Sequence, residues 1–341
     1  MNSQALALGQ LAPWVGFPMR SDQAARQISA LNAQLPFVFV LGLHQGQVRI
    51  AQKPRHYKPE EIAGTARSAN RALLRAHAYR RFLAEVVSRG GIGYDMHLVI
   101  AMRDLTGFEP SLPVFTFQKP RGSRLVLLPD IDFLAHNFYR DPEFTDPIPF
   151  AEKREAAVFA GATTGKPRIT LDDVRQLALP RLRAAVHFRG SPRVDFRLVD
   201  LVERESADVA TAIRSLGIVG QRLPWSEAYA HRYLISMDGN GATCSRVALA
   251  LRSNGVLLKY ASDHLLHYFD ALSPWRHYLP VREDEDVMRL MDLCARHPAL
   301  AEDVARQSKD FFRDNLEPQS LGAYTRDLLD AYAGICGFAS G

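Results

Sequence analysis

The stretch YLISMDGNGATCSR, residues 233–246, contains the residue types from which an anion site is built. An apolar strand ends at Asp238-Gly239-Asn240-Gly241, and a helix begins near Thr243 with Ser245 and Arg246 in its first turn. The first amides of a helix have no partner inside it, and glycines let a ligand come close to them. A guanidinium at that point can hold two phosphate oxygens together. A second candidate is VIAMRDLTG (99–107), where a strand ends in Arg103-Asp104. A carboxylate at a strand's C-terminal edge stands where α/β sites form and suits proton transfer; a capping or ion-paired aspartate is the plain alternative.

Other stretches carry weaker signals. GATTGKP (161–167) fails as a phosphate-binding P-loop, since only three residues separate its glycines and Pro167 stands where a magnesium-binding hydroxyl belongs. The turn could still hold a phosphate through its amides and Arg168, or be an ordinary surface turn. Gly90-Gly91-Ile92-Gly93 precedes a strand, so it reads as a loop and not as a dinucleotide fingerprint. Asp130-Ile131-Asp132 has no evident third metal ligand, and neither do His264 and His267; both read as core or surface groups. Pro274-Trp275-Arg276-His277-Tyr278 could stack on a base or sugar, although packing is the commoner use of such aromatics.

These residues need elements to position them. Strands are expected at 36–42, 47–51, 95–102, 112–119 and 124–130, with one or two amphipathic helices over 59–88 whose apolar positions are Leu73, Leu74, Ala78, Phe82, Leu83 and Val86. DPEFTDPIPF (141–150) has three prolines and no periodicity, and reads as a linker. Beyond it, strands at 156–165, 194–200, 232–237 and 255–260 alternate with helices at 171–184 and 243–252, and helices at 285–297, 300–314 and 319–334 close the chain. Such alternation implies two α/β domains with mostly parallel sheets and a ligand site at their C-terminal edges. A length of 341 residues is enough for two cores.

Composition narrows the class. A net charge of +5, dispersed along the chain, fits a phosphorylated ligand or an anionic surface and argues against nucleic acid. Three widely spaced cysteines, with no CxxC, argue against a disulfide scaffold or a zinc site and for a reducing compartment. The N-terminus reads as a poor signal peptide, and no transmembrane helix is expected.

Six segments in one order, LVIAMRD, LPVFTFQK, FAGATTGKPR, SPRVD, YLISMDGNGATCSR with VLLKY, and LSPWRHYLPV, resemble glycosyltransferase family 90 over roughly residues 60–335. The resemblance implies a GT-B fold, two Rossmann-like domains facing a cleft. The domains would be an acceptor-side domain (1–150), a nucleotide-sugar domain (151–318), and a C-terminal helix (319–341) packing back on the first. It also implies inverting, metal-independent transfer from a UDP-sugar, with no cofactor. Asp104 matches the family's base. Phe159-Ala160-Gly161-Ala162 matches its "FRGS" turn, with arginine and serine replaced by alanines. Arg168 matches an arginine near the diphosphate. Ser191 to Asp195, including Arg193, Val194 and Asp195, match a nucleotide-lining segment. Asp238, Gly239, Gly241, Ala242, Thr243, Cys244, Ser245 and Arg246 match the phosphate-holding loop and helix start.

The aromatic acceptor segment of the family's eukaryotic members lacks its tryptophans here, at 130–139. With the missing signal peptide and KDEL-type ending, this points to a bacterial lipopolysaccharide, surface-glycan or lipid-linked acceptor and a cytoplasmic enzyme with optional peripheral contact to the inner membrane. A protein or small-glycan acceptor is the nearest alternative. A non-catalytic sugar-nucleotide-binding protein and an unrelated α/β enzyme acting on nucleotides are the others.

Overall fold

Apolar runs bounded by turn residues become the strands of two five-stranded sheets. The computed structural model describes residues 2–35, 37–54, 66–93, 95–103 and 109–338. The chain divides into a first unit of Met1–Phe138, Leu265–His267 and Glu317–Gly341, and a second of Tyr139–His264 and Tyr268–Leu316. Both units are α/β, the division that a GT-B fold requires.

In the first unit, helices α1 (Ser3–Leu11) and α2 (Asp22–Gln34) precede β1 (Val38–His44) and β2 (Gln47–Gln52). Then come α3 (Ala66–Gly90), β3 (Met96–Ala101), β4 (Val114–Thr116), the two-residue β5 (Lys119–Pro120), β6 (Val126–Leu127) and α4 (Ile131–Ala135). The sheet order is β2-β1-β3-β4-β6. The β1 strand runs antiparallel to β2 and β3, whereas β3, β4 and β6 are parallel. This sheet is therefore mixed, not mostly parallel as expected, because β1 and β2 form a hairpin through the left-handed Gln45-Gly46 turn (φ 48° and 73°).

The last helix, α12 (Pro318–Ile335), also belongs to this unit. Leu321, Tyr324, Thr325, Leu328, Leu329, Tyr332 and Ala333 recur at helical spacing and are all buried. Tyr324 donates its hydroxyl to the Leu127 carbonyl at 2.7 Å and Tyr332 to that of His97 at 3.0 Å. On α3, Phe82, Leu83 and Val86 are buried, but Leu74 is 69% exposed; the helical stripe narrows there.

The second unit holds β7 (Arg154–Ala162), α5 (Leu171–Arg175), α6 (Pro180–His187), β8 (Val194–Asp200), α7 (Ala207–Ser215), α8 (Trp225–Ala228), β9 (His231–Ser236), α9 (Cys244–Arg252) and β10 (Val256–Tyr260). After the two-residue β11 (His264–Leu265) come β12 (Leu279–Val281), α10 (Asp284–Arg296) and α11 (Pro298–Asn315). Its sheet, β12-β10-β9-β7-β8, is parallel throughout. Parallel strands are covered on both faces, so β9 and β10 are almost wholly buried, and Phe159, Phe196, Tyr233, Ile235 and Leu258 anchor one core.

Residues 141–150 are not a linker between the units. They lie inside the second one as short 3₁₀ turns pinned by a buried ion pair. Lys153 Nζ meets Asp146 Oδ2 at 2.8 Å with side-chain exposures of 0% and 3%. The same carboxylate oxygen accepts the Asn254 amide at 2.8 Å, and Phe144 O accepts from Tyr229 and Arg252 at 3.0 and 2.7 Å. Desolvation pushes the Lys153 ammonium down, with Asp146 opposing that shift. Removing one partner of a buried pair strands the other charge. Asp146→Ala is therefore expected to lower the second unit's stability by about 3–5 kcal/mol, read from its denaturant midpoint.

Candidate functional site

The site grows from the C-terminal ends of β7 and β9, where a parallel sheet leaves its loops free to build a pocket. The β9 strand runs into Asp238, and α9 opens with Cys244, Ser245 and Arg246 after the N-cap residue Thr243. Thr243 makes no side-chain cap; its hydroxyl pairs instead with the Ser236 hydroxyl. The positive end of α9 is thus not capped by its N-cap side chain, which suits an incoming anion. Gly241 O accepts the Gly239 amide at 3.2 Å, closing the turn, and Ala242 is buried behind it.

Arg246 is the central cation. Its Nη2 donates to Ala160 O at 2.6 Å, and its guanidinium lies 4.4 Å from the Phe159 ring centroid and 6.0 Å from that of Trp225. The residue as a whole is only half-buried, yet its Nε is fully enclosed and makes no hydrogen bond to a described residue. Burial, and then the like charge of Arg181, push its pKa down to about 9. No carboxylate among the described residues offsets those two effects. Arg246 also lines a cavity of about 80 Å³ with Val158, Ala160, Leu223, Trp225 and Leu234. A buried, charged guanidinium without a counter-charge favours binding of an anion.

A second arginine, Arg181 of α6, stands behind the loops and was not singled out from the sequence. Its Nε donates to Asp238 O at 3.0 Å, its Nη2 to Met237 O at 2.9 Å, and its Nη1 to Ala162 O and Thr164 Oγ1 at 2.9 and 2.7 Å. Burial pushes it down to about 10, against the charges of Asp238 and Glu203. In the sequence it looks like one more charge on an amphipathic helix.

Gly239 has a different use from the one expected. A Cβ there would sit 2.1 Å from Thr164 Oγ1 and 3.0 Å from Arg181 Nη2, so the chain's own Thr164 fills the space thought open to a ligand. Gly239→Ala is expected to destabilise by about 1–3 kcal/mol through overpacking, seen as a lower melting temperature that Thr164→Gly in the same chain restores. At Gly161, likewise, the Phe159 ring lies 2.7 Å from where a Cβ would be. Gly161 and Ala162 both lie at the β7 end beside the site. Asp238 accepts a 2.5 Å hydrogen bond from Ser262 Oγ and sits 3.7 Å from His264 Nδ1.

Arg193, Val194 and Asp195 do not join this cluster. The pairing of Ala157 with Val194 and of Ala162 with Asp200 puts them at the N-terminal edge of the sheet. Five residues of strand, about 16 Å, separate that edge from Gly161 and Ala162. There Arg193 pairs with Asp292 at 2.7 Å, and Asp195 with Arg197. Arg168 forms an exposed ion pair with Glu205 at 2.7 Å, its side chain 72% exposed. Asp104 lies outside the described residues. Its neighbour Arg103 lies 5.3 Å from the Phe37 ring centroid. Asp130 caps α4 through the Asp132 amide at 3.0 Å. His267 is buried against Tyr324, and burial pushes its pKa down to about 3. Trp275 is 47% exposed on a left-handed turn.

The chain is 24% identical to human Protein O-glucosyltransferase 1 over 288 residues, covering 76% of this chain and 67% of that one. It is 27% identical to Protein O-glucosyltransferase 2 of Danio rerio over 118 residues, covering 34% of this chain and 23% of that one. Among solved structures, Anabaena Alr3699/HepE in complex with UDP-glucose matches with a TM-score of 0.35 at 11% identity, over 53% of this chain and 50% of that one. The model of Glycosyl transferase family 90 matches residues 152–339, over half the chain and all of the anion-site residues described above. The chain belongs to glycosyl transferase family 90 and is a glycosyltransferase.

Proposed function

We propose that this glycosyltransferase moves a hexose or pentose from a UDP-sugar to a hydroxyl of a bacterial lipopolysaccharide or other surface glycan, with inversion and without a metal. The observation that carries the donor half is the Arg246 guanidinium, enclosed at the positive end of α9 with no carboxylate of the described residues to offset it. A diphosphate leaving group supplies the missing negative charge. Asp104 takes the proton of the acceptor hydroxyl as its oxygen attacks the anomeric carbon. The bond from that carbon to the diphosphate oxygen breaks on the opposite face, and its electron pair stays on UDP beside Arg246. With the arginine and the helix end carrying that charge, no metal is needed.

A protein hydroxyl is the second acceptor reading, and the names of the relatives favour it. The tryptophan-free segment 130–139 and the mild +5 charge favour the glycan. No helix among the described residues is long and apolar enough to cross a membrane. We place the enzyme in the cytoplasm, touching the inner membrane where a lipid-linked acceptor lies. The test is UDP release by the purified chain from UDP-glucose, UDP-galactose and UDP-xylose, with a lipopolysaccharide core, a folded protein domain or no acceptor. Stimulation by the core supports the first reading, and stimulation by the protein domain supports the second. UDP binding with no turnover on any acceptor would reduce the chain to a sugar-nucleotide-binding protein.

A further inference from the structure

We infer that Arg181 is a positioning residue that fastens the loop after β7 to the loop after β9, so that both move as one donor-binding surface. The inference rests on the donor reading above for what that surface binds, but the fastening is visible by itself. Arg181 spends its donors on Ala162 and Thr164 in one loop and on Met237 and Asp238 in the other. It is 6% exposed, and its guanidinium lies 5.3 Å from the Phe159 ring centroid. Phe159 is also the ring beneath Arg246, at 4.4 Å, so one aromatic side chain supports both guanidinium groups.

Two further ties link the same loops. The Gly165 amide donates to Asn240 Oδ1 at 2.8 Å, and Thr164 Oγ1 fills the space over Gly239. All of these bonds are buried or half-buried except that of Gly165. Arg181 spreads three nitrogens over carbonyls of both loops, a reach that a lysine's single nitrogen does not match. The α9 amides and Arg246 begin only a few residues beyond Asp238. Their register against the phosphates therefore depends on a residue that touches no substrate.

The test uses the full chain as Arg181→Lys and Thr164→Ala, with Asp146→Asn as a destabilised control remote from the loops. Amide hydrogen exchange is read over 162–166 and 237–246, with UDP titrations, donor KM and kcat, and melting temperatures alongside. In Arg181→Lys both loops are expected to lose protection together while β10 and α11 keep theirs. A misplacement of ~1 Å can cost about 10²-fold, so UDP affinity is expected to weaken and donor KM to rise by about ten- to a hundredfold. At saturating donor, kcat should stay within about threefold, because the groups acting in the transition state remain. Thr164→Ala should show the same pattern to a smaller extent. Asp146→Asn should lower the melting temperature without changing UDP affinity. The inference is overturned if exchange in the two loops is unchanged, if only one loop opens, or if UDP affinity merely follows melting temperature across all three variants. Should the unsubstituted chain bind no UDP, the donor reading fails, and the exchange data still decide whether Arg181 fastens the loops.

Discussion

Asp104→Asn is expected to lower kcat by about 10²–10⁴-fold while UDP binds as before. Attack by a neutral hydroxyl on the anomeric carbon leaves a proton on the bridging oxygen, and a carboxylate in hydrogen-bond reach removes it as the bond forms. Asparagine keeps the shape and loses the basicity, so the chemical step suffers and binding of the donor does not. Asp104 follows Arg103, just beyond β3, whose strand Met96–Ala101 is wholly or largely buried. The measurement is single-turnover transfer, with UDP affinity by calorimetry. If kcat stays within about threefold, the base is another group.

Arg246→Met is expected to lower kcat/KM by about 10²–10³-fold, the loss typical of removing one preorganised donor from a developing negative charge. The ligand-free protein is expected to behave differently. The enclosed guanidinium is pushed down to about 9 by burial and by Arg181, with no carboxylate among the described residues to compensate, so the apo protein carries an electrostatic cost there. Methionine fits against Phe159 and Trp225 without that cost. The melting temperature without ligand should therefore hold or rise. The rise that UDP gives the unsubstituted chain, equivalent to ~2.7 kcal/mol at a hundred times its dissociation constant, should largely vanish. Arg246→Lys should recover only part of the activity, because an ammonium cannot hold Ala160 O and two phosphate oxygens together. A variant that loses ligand-free stability and still gains stability from UDP would show Arg246 to be a packing residue.

Local signals found the elements better than they found their partners. Val194–Asp200 falls where the sequence put a strand, and α9 begins one residue after its expected start, because an apolar run between turn residues has few other solutions. Arg246 was readable for the same reason: a helix start after a glycine turn fixes which side chains lie in the first turn. Which edge of a sheet a residue occupies depends on strand direction and register, and no local pattern states those. Arg193 to Asp195 were accordingly assigned to the site and lie at the other edge. The single helix expected over 171–184 is two, because Leu177 turns left-handed (φ 50°) and Pro180 starts a new helix. That break sets where Arg181 points, so its role was hidden with it. The mixed first sheet was missed in the same way, since a hairpin and a parallel pair have similar strand sequences.

The route of the chain through the first unit has a consequence for biosynthesis. That unit includes α12, which follows the whole of the second unit along the chain and supplies its Tyr324 and Tyr332 anchors. The second unit is almost complete once residue 316 has emerged. On the ribosome the second unit can therefore close first, while the first unit waits for α12 to emerge. A premature stop near residue 316 would leave the second unit whole and the first without its Tyr324 and Tyr332 anchors, so the truncated chain is expected to be cleaved in its front half under limited proteolysis.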